Sequence, residues 1–365
     1  TSSRPVSASR VFVGKSLAET SAGLPALFSV CAIAQACACS AACEAAMGVP
    51  ERPLITYLRS SLVDAETVRE HLWRMLLDWP RFIGEPVGAP AMARAMTAFN
   101  RLRGALGQSA DLFRPGVAGI EPDLAAAREG LDELAEVTAQ AILGAAPGDW
   151  LAKNETAEDL IAWARSADTS AARLLRELMA RGWSALGRNR IRTLAPIPFA
   201  DLEALLGGGL ADDFVARPVW QEAPAETSPY SRNSGDAVIT GLSARFGNGL
   251  LPRYAAQLVE ASALQQRLRA TLDSAESVAP FPAASTGPGV GIARVQAARG
   301  LLVHRIEADG ERVRDYRILA PTEWNFHPQG VVARGLAALE PADDATLSRQ
   351  VGLLVTAVDP CVDYD

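Results

Sequence analysis

The sequence predicts a mainly α-helical protein with one small antiparallel β element towards its end. Two observations carry this. Apolar residues recur at three- and four-residue spacing through most of the first two-thirds of the chain. Beyond residue 285 the pattern changes to strand-like alternation on either side of Asp309-Gly310, a pair suited to a tight hairpin turn.

Helical periodicity covers Leu24–Met47, Ala65–Leu77, Ala89–Leu106, Glu121–Leu143 and Thr169–Trp183. Asp64 stands as a start signal before Ala65, and Asp168-Thr-Ser before the run at Ala171. The Gly- and Pro-rich passage 207–247 reads as a long ordered connection across the surface. Leu250–Leu272 is helical again. Residues 285–291, Ser-Thr-Gly-Pro-Gly-Val-Gly, read as a loop, and two strands follow, one from Gly300 and one from Arg312. Short helices near Val331–Leu339 and Ala345–Ala357 lead to the last residues. We expect one domain over 1–365: a helical core over about 20–275, a small β region over about 285–320, and a helix with a cysteine motif over 331–365.

Half of the 365 residues are apolar and a fifth charged, as in ordinary globular proteins. A net charge of −7 with scattered arginines argues against a nucleic-acid partner, which needs a basic face. The uncharged stretch Thr20–Cys43 is long enough to span a bilayer. Ala, Ser, Cys and Gln fill its second half, however, so a helix buried on all sides of a core explains it better. No membrane association is expected. The cysteines, Cys31, Cys37, Cys39, Cys43 and Cys361, are odd in number and do not form a secreted disulfide framework; reduced thiols in the cytoplasm fit better.

Gly287-Pro-Gly-Val-Gly follows no clear strand and opens no helix, so it is not a nucleotide-binding fingerprint. Cys37, Cys39 and Cys43 share an apolar helix with no histidine to complete a site, and core packing is the simpler reading. Cys31 lies near the start of that helix, where a helix N-terminus favours a thiolate, and Cys361 sits in the turn-forming Asp359-Pro-Cys. Spacing alone does not bring the two together. His71, His304 and His327 form no ligand pair or triad and read as hydrogen-bonded structural residues.

Three segments together resemble the [NiFe]-hydrogenase large subunit. The first runs from Gly287 through Ala298-Arg299-Gly300-Leu-Leu-Val-His304 to Pro321-Thr-Glu-Trp-Asn325-Phe-His-Pro328, and is similar to that family's Pro-Arg-Gly-x-Leu-x-His and Pro-Thr-x-Trp-Asn blocks, with Ala298 in place of the proline. The second is Glu226-Thr-Ser-Pro-Tyr-Ser-Arg232, near the family's Glu-Thr-Gly-Pro-Leu-Ala-Arg, and the third is Asp359-Pro-Cys361. The stretch from Gly14-Lys15 through Cys31 to Glu44 resembles the first cysteine segment more loosely.

The departures shape what the resemblance implies. Each family Cys-x-x-Cys keeps one member here, because Ala34 and Tyr364 stand at the second position, and Ala38 replaces a histidine. By resemblance, the metal-bridging cysteines are lost and Cys31 and Cys361 remain at outer positions. Nickel is therefore not expected. Two soft thiolates suit an iron already carrying carbonyl and cyanide ligands. Arg299 matches the arginine beside the metal, whose forked donors reach a cyanide nitrogen; Glu226 and Asp359 are supporting residues by the same carry-over. The pattern looks like the degenerate HupK/HoxV-type maturation branch, which implies a non-enzymatic scaffold carrying an Fe(CN)2CO unit. It also implies Hyp chaperones of the HypC/HypD type and a hydrogenase large subunit as partners. Two alternatives stand beside it: a large-subunit mimic that binds chaperones without metal, and a degenerate hydrogenase with a mononuclear metal site.

Overall fold

The computed structural model describes residues 8–28, 30–107, 110–274 and 281–359. Helices dominate, and a four-stranded antiparallel sheet lies late in the chain, in agreement with the expected fold class.

The chain enters through α1, Leu17–Gly23, opened by a Ser16/Glu19 capping box. The single helix expected over Leu24–Met47 is divided. A 3-10 turn, Leu24–Ala26, precedes a non-helical step, and α2 spans Ala32–Met47 with Cys31 as its N-cap. Pro25 in the turn and the non-helical backbone of Cys31 (φ −116°, ψ 44°) account for the break. From Ile33 to Cys43 every residue of α2 is buried. The second half of the uncharged tract is thus core, whereas Ala22, Ala26 and Leu27 in its first half are exposed, and among the described residues no helix is long and apolar enough to cross a membrane.

The next helix, α3, spans Pro53–Trp73 and starts well before Asp64. Ile55, Leu58, Leu62 and Ala65 continue the three-four-three spacing backwards, and Pro53 is well suited to a first helical turn. Asp64 is therefore a mid-helix residue, not a cap; its carboxylate accepts from Arg267 at 2.7 Å. A π-helical turn, Arg74–Asp78, continues α3. In contrast, the start expected at Asp168-Thr-Ser is present: the Thr169 hydroxyl accepts from the Ala172 amide and opens the helix Ser170–Ala180.

Passage 207–247 is more ordered than a surface connection. It contains helices Ala211–Ala216, Pro229–Arg232 and Ala237–Phe246; β2, Ala225–Glu226, pairs in parallel with β1, Arg192–Thr193. Asp236 starts the last of these helices by accepting from the Val238 and Ile239 amides. The tract expected as a loop at 285–291 is a hairpin instead. Strands β3 (Ala283–Gly287), β4 (Val290–Ala297), β5 (Gly300–Asp309) and β6 (Arg312–Leu319) form the sheet in sequence order. Its glycines serve close packing: a Cβ on Gly291 would lie 2.0 Å from the Ala42 carbonyl, so α2 rests on the bare backbone of β4.

Two large apolar clusters result. One lies between α2, α3 and the sheet. The other surrounds the long helix Leu250–Ser274 and includes Trp79 against Tyr254, ring centroids 4.9 Å apart. The last helix, Asp344–Val358, packs on the second cluster and delivers Asp359 towards α2.

Candidate functional site

The site is built around the short connection from β4 to β5. Gly300 there has φ +133°, and a Cβ would meet the Thr227 carbonyl at 2.4 Å, which explains the glycine after Arg299. Asn325 ties this junction together: its Nδ2 donates to the Thr227 carbonyl at 2.6 Å and towards the Arg299 carbonyl at 3.4 Å, and its Oδ1 accepts from the Thr227 amide at 2.9 Å. From the other side Arg232 donates to the carbonyls of Ala297 (3.0 Å) and Ala298 (2.9 Å). The backbone around Arg299 is therefore held by two of the sequence motifs at once, that of Asn325 and that of Thr227 and Arg232.

Its guanidinium, almost wholly buried, has a partner at each nitrogen. Nη1 lies 3.3 Å from Cys31 Sγ, Nη2 donates to Glu70 Oε2 at 2.9 Å, and Nε lies 3.3 Å from Asp359 Oδ1. Arg74 Nε donates to the same Asp359 oxygen at 2.6 Å while its Nη1 reaches Asp78 at 2.7 Å. The π-helical turn that begins at Arg74 sets that reach; such turns recur at functional sites. Arg69 contacts the other Glu70 oxygen and donates to the Val30 carbonyl at 2.9 Å. Asp359 sits in the left-handed region at φ +61°, and its Oδ2 is buried with no hydrogen-bond partner among the described residues.

Glu66 closes the N-terminus of α2. It accepts from the Ile33 and Ala34 amides at 2.9 Å each, so a side chain from α3 takes the orphan donors that a capping residue would. Burial pushes its carboxyl up to about 7, against the opposing pull of Arg69 and those two amides. Burial likewise disfavours the Arg74 cation, but Asp359 and Asp78 outweigh it and hold the charge in place.

Of the residues singled out in the sequence, Cys31, Arg299 and Asp359 are thus brought together. Cys361 lies outside the described residues, two positions after Asp359. Glu226 is placed elsewhere: it forms a fully buried two-pronged pair with Arg253 (3.1 and 2.8 Å) and accepts from Ser228. Among the described residues no bond joins it to the Arg299 cluster. Cys37, Cys39 and Cys43 are fully buried in the core; burial raises the Cys37 thiol, and the hydrogen bond with Cys39, reinforced by burial, raises that of Cys43. The histidines are hydrogen-bonded, as expected. His71 pairs with Glu260 at 2.8 Å, His304 bridges Gln35 (2.9 Å) and the Tyr316 hydroxyl (2.8 Å), and His327 Nδ1 accepts from the Gln329 amide. Burial pulls His304 down to about 3, so it is neutral.

Sequence reasoning missed Glu66, Glu70 and Arg74. The available signal was their four-residue spacing, which stacks three charges on one face of a helix otherwise rich in core residues. Among the described residues no three His, Cys, Asp or Glu side chains are grouped to hold a bare metal ion. What the cluster offers is one sulfur beside a guanidinium whose charge is shared with two carboxylates.

The fold is that of hydrogenase large subunits. Solved Ni-Fe-Se hydrogenases align along nearly the whole chain. The enzyme of Desulfomicrobium baculatum gives a TM-score of 0.63 at 14% identity, covering 99% of this chain and 92% of its own. That of Desulfovibrio vulgaris Hildenborough gives 0.60 at 14%, covering 96% and 90%. No family model matches the sequence. Curated relatives resolve the family. Hydrogenase expression/formation protein HoxV of Cupriavidus necator is 33% identical over 99% of this chain and 90% of its own length. HupV of Azotobacter chroococcum is 32% identical over 98% and 90%, and HupK of Rhizobium leguminosarum 29% over 99% and 90%. The chain belongs to this HoxV/HupK family of hydrogenase expression/formation proteins.

Proposed function

We propose that this protein is a hydrogenase maturation scaffold, without catalytic turnover of its own, that transiently carries an Fe(CN)2CO unit for assembly of a [NiFe] site. The observation that supports this reading best is the 3.3 Å approach of Arg299 Nη1 to Cys31 Sγ inside a cluster that also holds Asp359, two residues before Cys361. In the proposal Cys31 and Cys361 bind the iron as thiolates, each losing its proton on ligation. The Arg299 guanidinium donates to a cyanide nitrogen, and Asp359, Glu70 and Arg74 fix that guanidinium in place. Two thiolates hold the unit less firmly than the four of a complete site, which suits a carrier that must release its cargo. Ala34 and Ala38, both buried in α2, supply no further ligand, so nickel is not part of the proposal. The partners are an iron-delivering chaperone of the HypC/HypD type and the client large subunit, and the setting is the cytoplasm.

Infrared spectroscopy tests the reading. Protein co-produced with the maturation machinery should show one carbonyl and two cyanide bands, with iron and without nickel. Both Cys31→Ala and Cys361→Ala should abolish them. Bands that persist in both variants eliminate the scaffold mechanism. Tight chaperone binding that never brings iron, and is indifferent to both substitutions, would instead identify a metal-free mimic.

A further inference from the structure

A second site lies on the opposite face of the same strand. Alternation along β4 sends Ala293, Val295 and Ala297 into the core beneath α2. The other face starts with Ile292, covered by a separate apolar cluster, and continues with Arg294 and Gln296. Those two line a cavity of about 930 Å³ bounded by α3, the long helix Leu250–Ser274 and the segment 194–196. This volume falls within the range of small-molecule sites.

Among the described residues the charges around the cavity do not balance. Three guanidiniums, those of Arg232, Arg267 and Arg294, face two carboxylates. Both carboxylates are already committed: Glu260 to Arg232 (2.7 and 2.6 Å) and His71, and Asp64 to Arg267. Arg294 makes no ion pair among the described residues. Its Nη1 donates to the Ile197 carbonyl at 2.8 Å, its Cζ lies 4.3 Å from the Phe199 ring centroid, and its Nε is buried with no hydrogen-bond partner among the described residues. Burial without a counter-charge also lowers its proton affinity. A guanidinium fixed by stacking, with no counter-charge among the described residues and a cavity beside it, is arranged for an anion that comes from outside the chain. The remaining walls include Val63, Leu264 and Phe281, which suit an apolar body.

We propose that this cavity binds a small organic anion, a carboxylate or phosphate on an apolar body, through Arg294 with Gln296 beside it. The site is distinct from the Cys31 cluster and does not depend on the carrier reading. It lies at most roughly 17 Å along the chain from Arg299, the reach of five extended residues.

Calorimetric titration of the full chain with inorganic phosphate, phenyl phosphate and benzoate tests the proposal, with the Arg294 Nε–Hε resonance followed by NMR. Saturable binding should shift that resonance, and phenyl phosphate should bind more tightly than phosphate. Binding of phenyl phosphate alone among the aromatic anions assigns the phosphate class, and binding of benzoate alone the carboxylate class. Arg294→Gln should weaken binding at least about tenfold, and Arg294→Lys by less, because it keeps the charge and loses the fork. Phe281→Ala, which leaves the guanidinium untouched, should erase the preference for the phenyl compound. The proposal fails if none of the three probes saturates below roughly 10 mM, or if folded Arg294→Gln binds them as the parent does.

Discussion

Arg74 Nε and Asp359 Oδ1 lie 2.6 Å apart, although 285 positions separate the two residues. This contact joins the end of α3 to the residue that follows the last helix, and Arg299 Nε lies 3.3 Å from the same oxygen. Removing Arg74 would leave a buried carboxylate with half its compensation. We expect Arg74→Gln to lower unfolding stability by about 2 kcal/mol, with part of the loss recovered in the Arg74→Gln/Asp359→Asn pair. Urea unfolding of the four-member cycle measures this; strictly additive losses would show that the contact contributes nothing.

Gly300→Ala should be among the most damaging small substitutions in the molecule. It places a Cβ at φ +133° and 2.4 Å from the Thr227 carbonyl, so the β4–β5 junction and Thr227 must separate. A loss of at least about 2 kcal/mol is expected, together with weaker infrared bands in loaded protein. Wild-type stability in Gly300→Ala would mean that the junction is slack.

Glu66 gives a pH dependence of definite sign. Its carboxyl is raised from 4.5 to about 7 in the folded protein. The folded state therefore holds the proton more tightly than the unfolded chain. The resulting stabilisation is fully present below about pH 4.5 and is lost as pH rises through 7. The difference in unfolding free energy between wild type and Glu66→Gln should change by roughly 3 kcal/mol between pH 4 and pH 8. A pH-independent difference would place the carboxyl in ordinary solvent.

His304 acts in the other direction. It is lowered from 6.5 to about 3 by burial, so its contribution is present above pH 6.5 and is lost as pH falls towards 3. His304→Gln should resist acid unfolding better than wild type relative to their stabilities at pH 7. Denaturant midpoints across pH 3 to 7 provide the check.

Glu226 separates support of the fold from support of the cargo proposed above. Glu226→Ala leaves Arg253 fully buried and unpaired, so a loss of about 3–5 kcal/mol is expected. The protein that still folds should show unshifted cyanide bands, because no bond joins Glu226 to the Arg299 cluster among the described residues. Shifted bands would restore it to the site.

The fold class was legible because helical spacing and strand alternation occupy different parts of the chain. The β5–β6 hairpin was legible because Asp309-Gly310 declares its turn. The 285–291 hairpin was not, since Gly291 answers to the backbone of α2 and Gly289 to that of β5, and they leave no side-chain alternation to read. The helices within 207–247 were hidden by short length and by neighbouring Pro and Gly. In the site, Cys31, Arg299 and Asp359 stood out through motifs. Glu70 and Arg74 did not, because a charge on a helix reads as a solvated face until that face is known to be buried. Glu226 carried an equally strong motif, yet its partner Arg253, deep in the long helix, had no sequence mark.

The Cys31–Arg299–Asp359 cluster also sets an order of events during synthesis. Its members come from the first tenth, the later part and the far end of the described chain. A nascent polypeptide whose growing end has not passed residue 359 has one anchoring sulfur and no complete cradle. On the carrier proposal, iron would therefore dock only once translation has moved beyond that point, and half-made copies would leave the unit free.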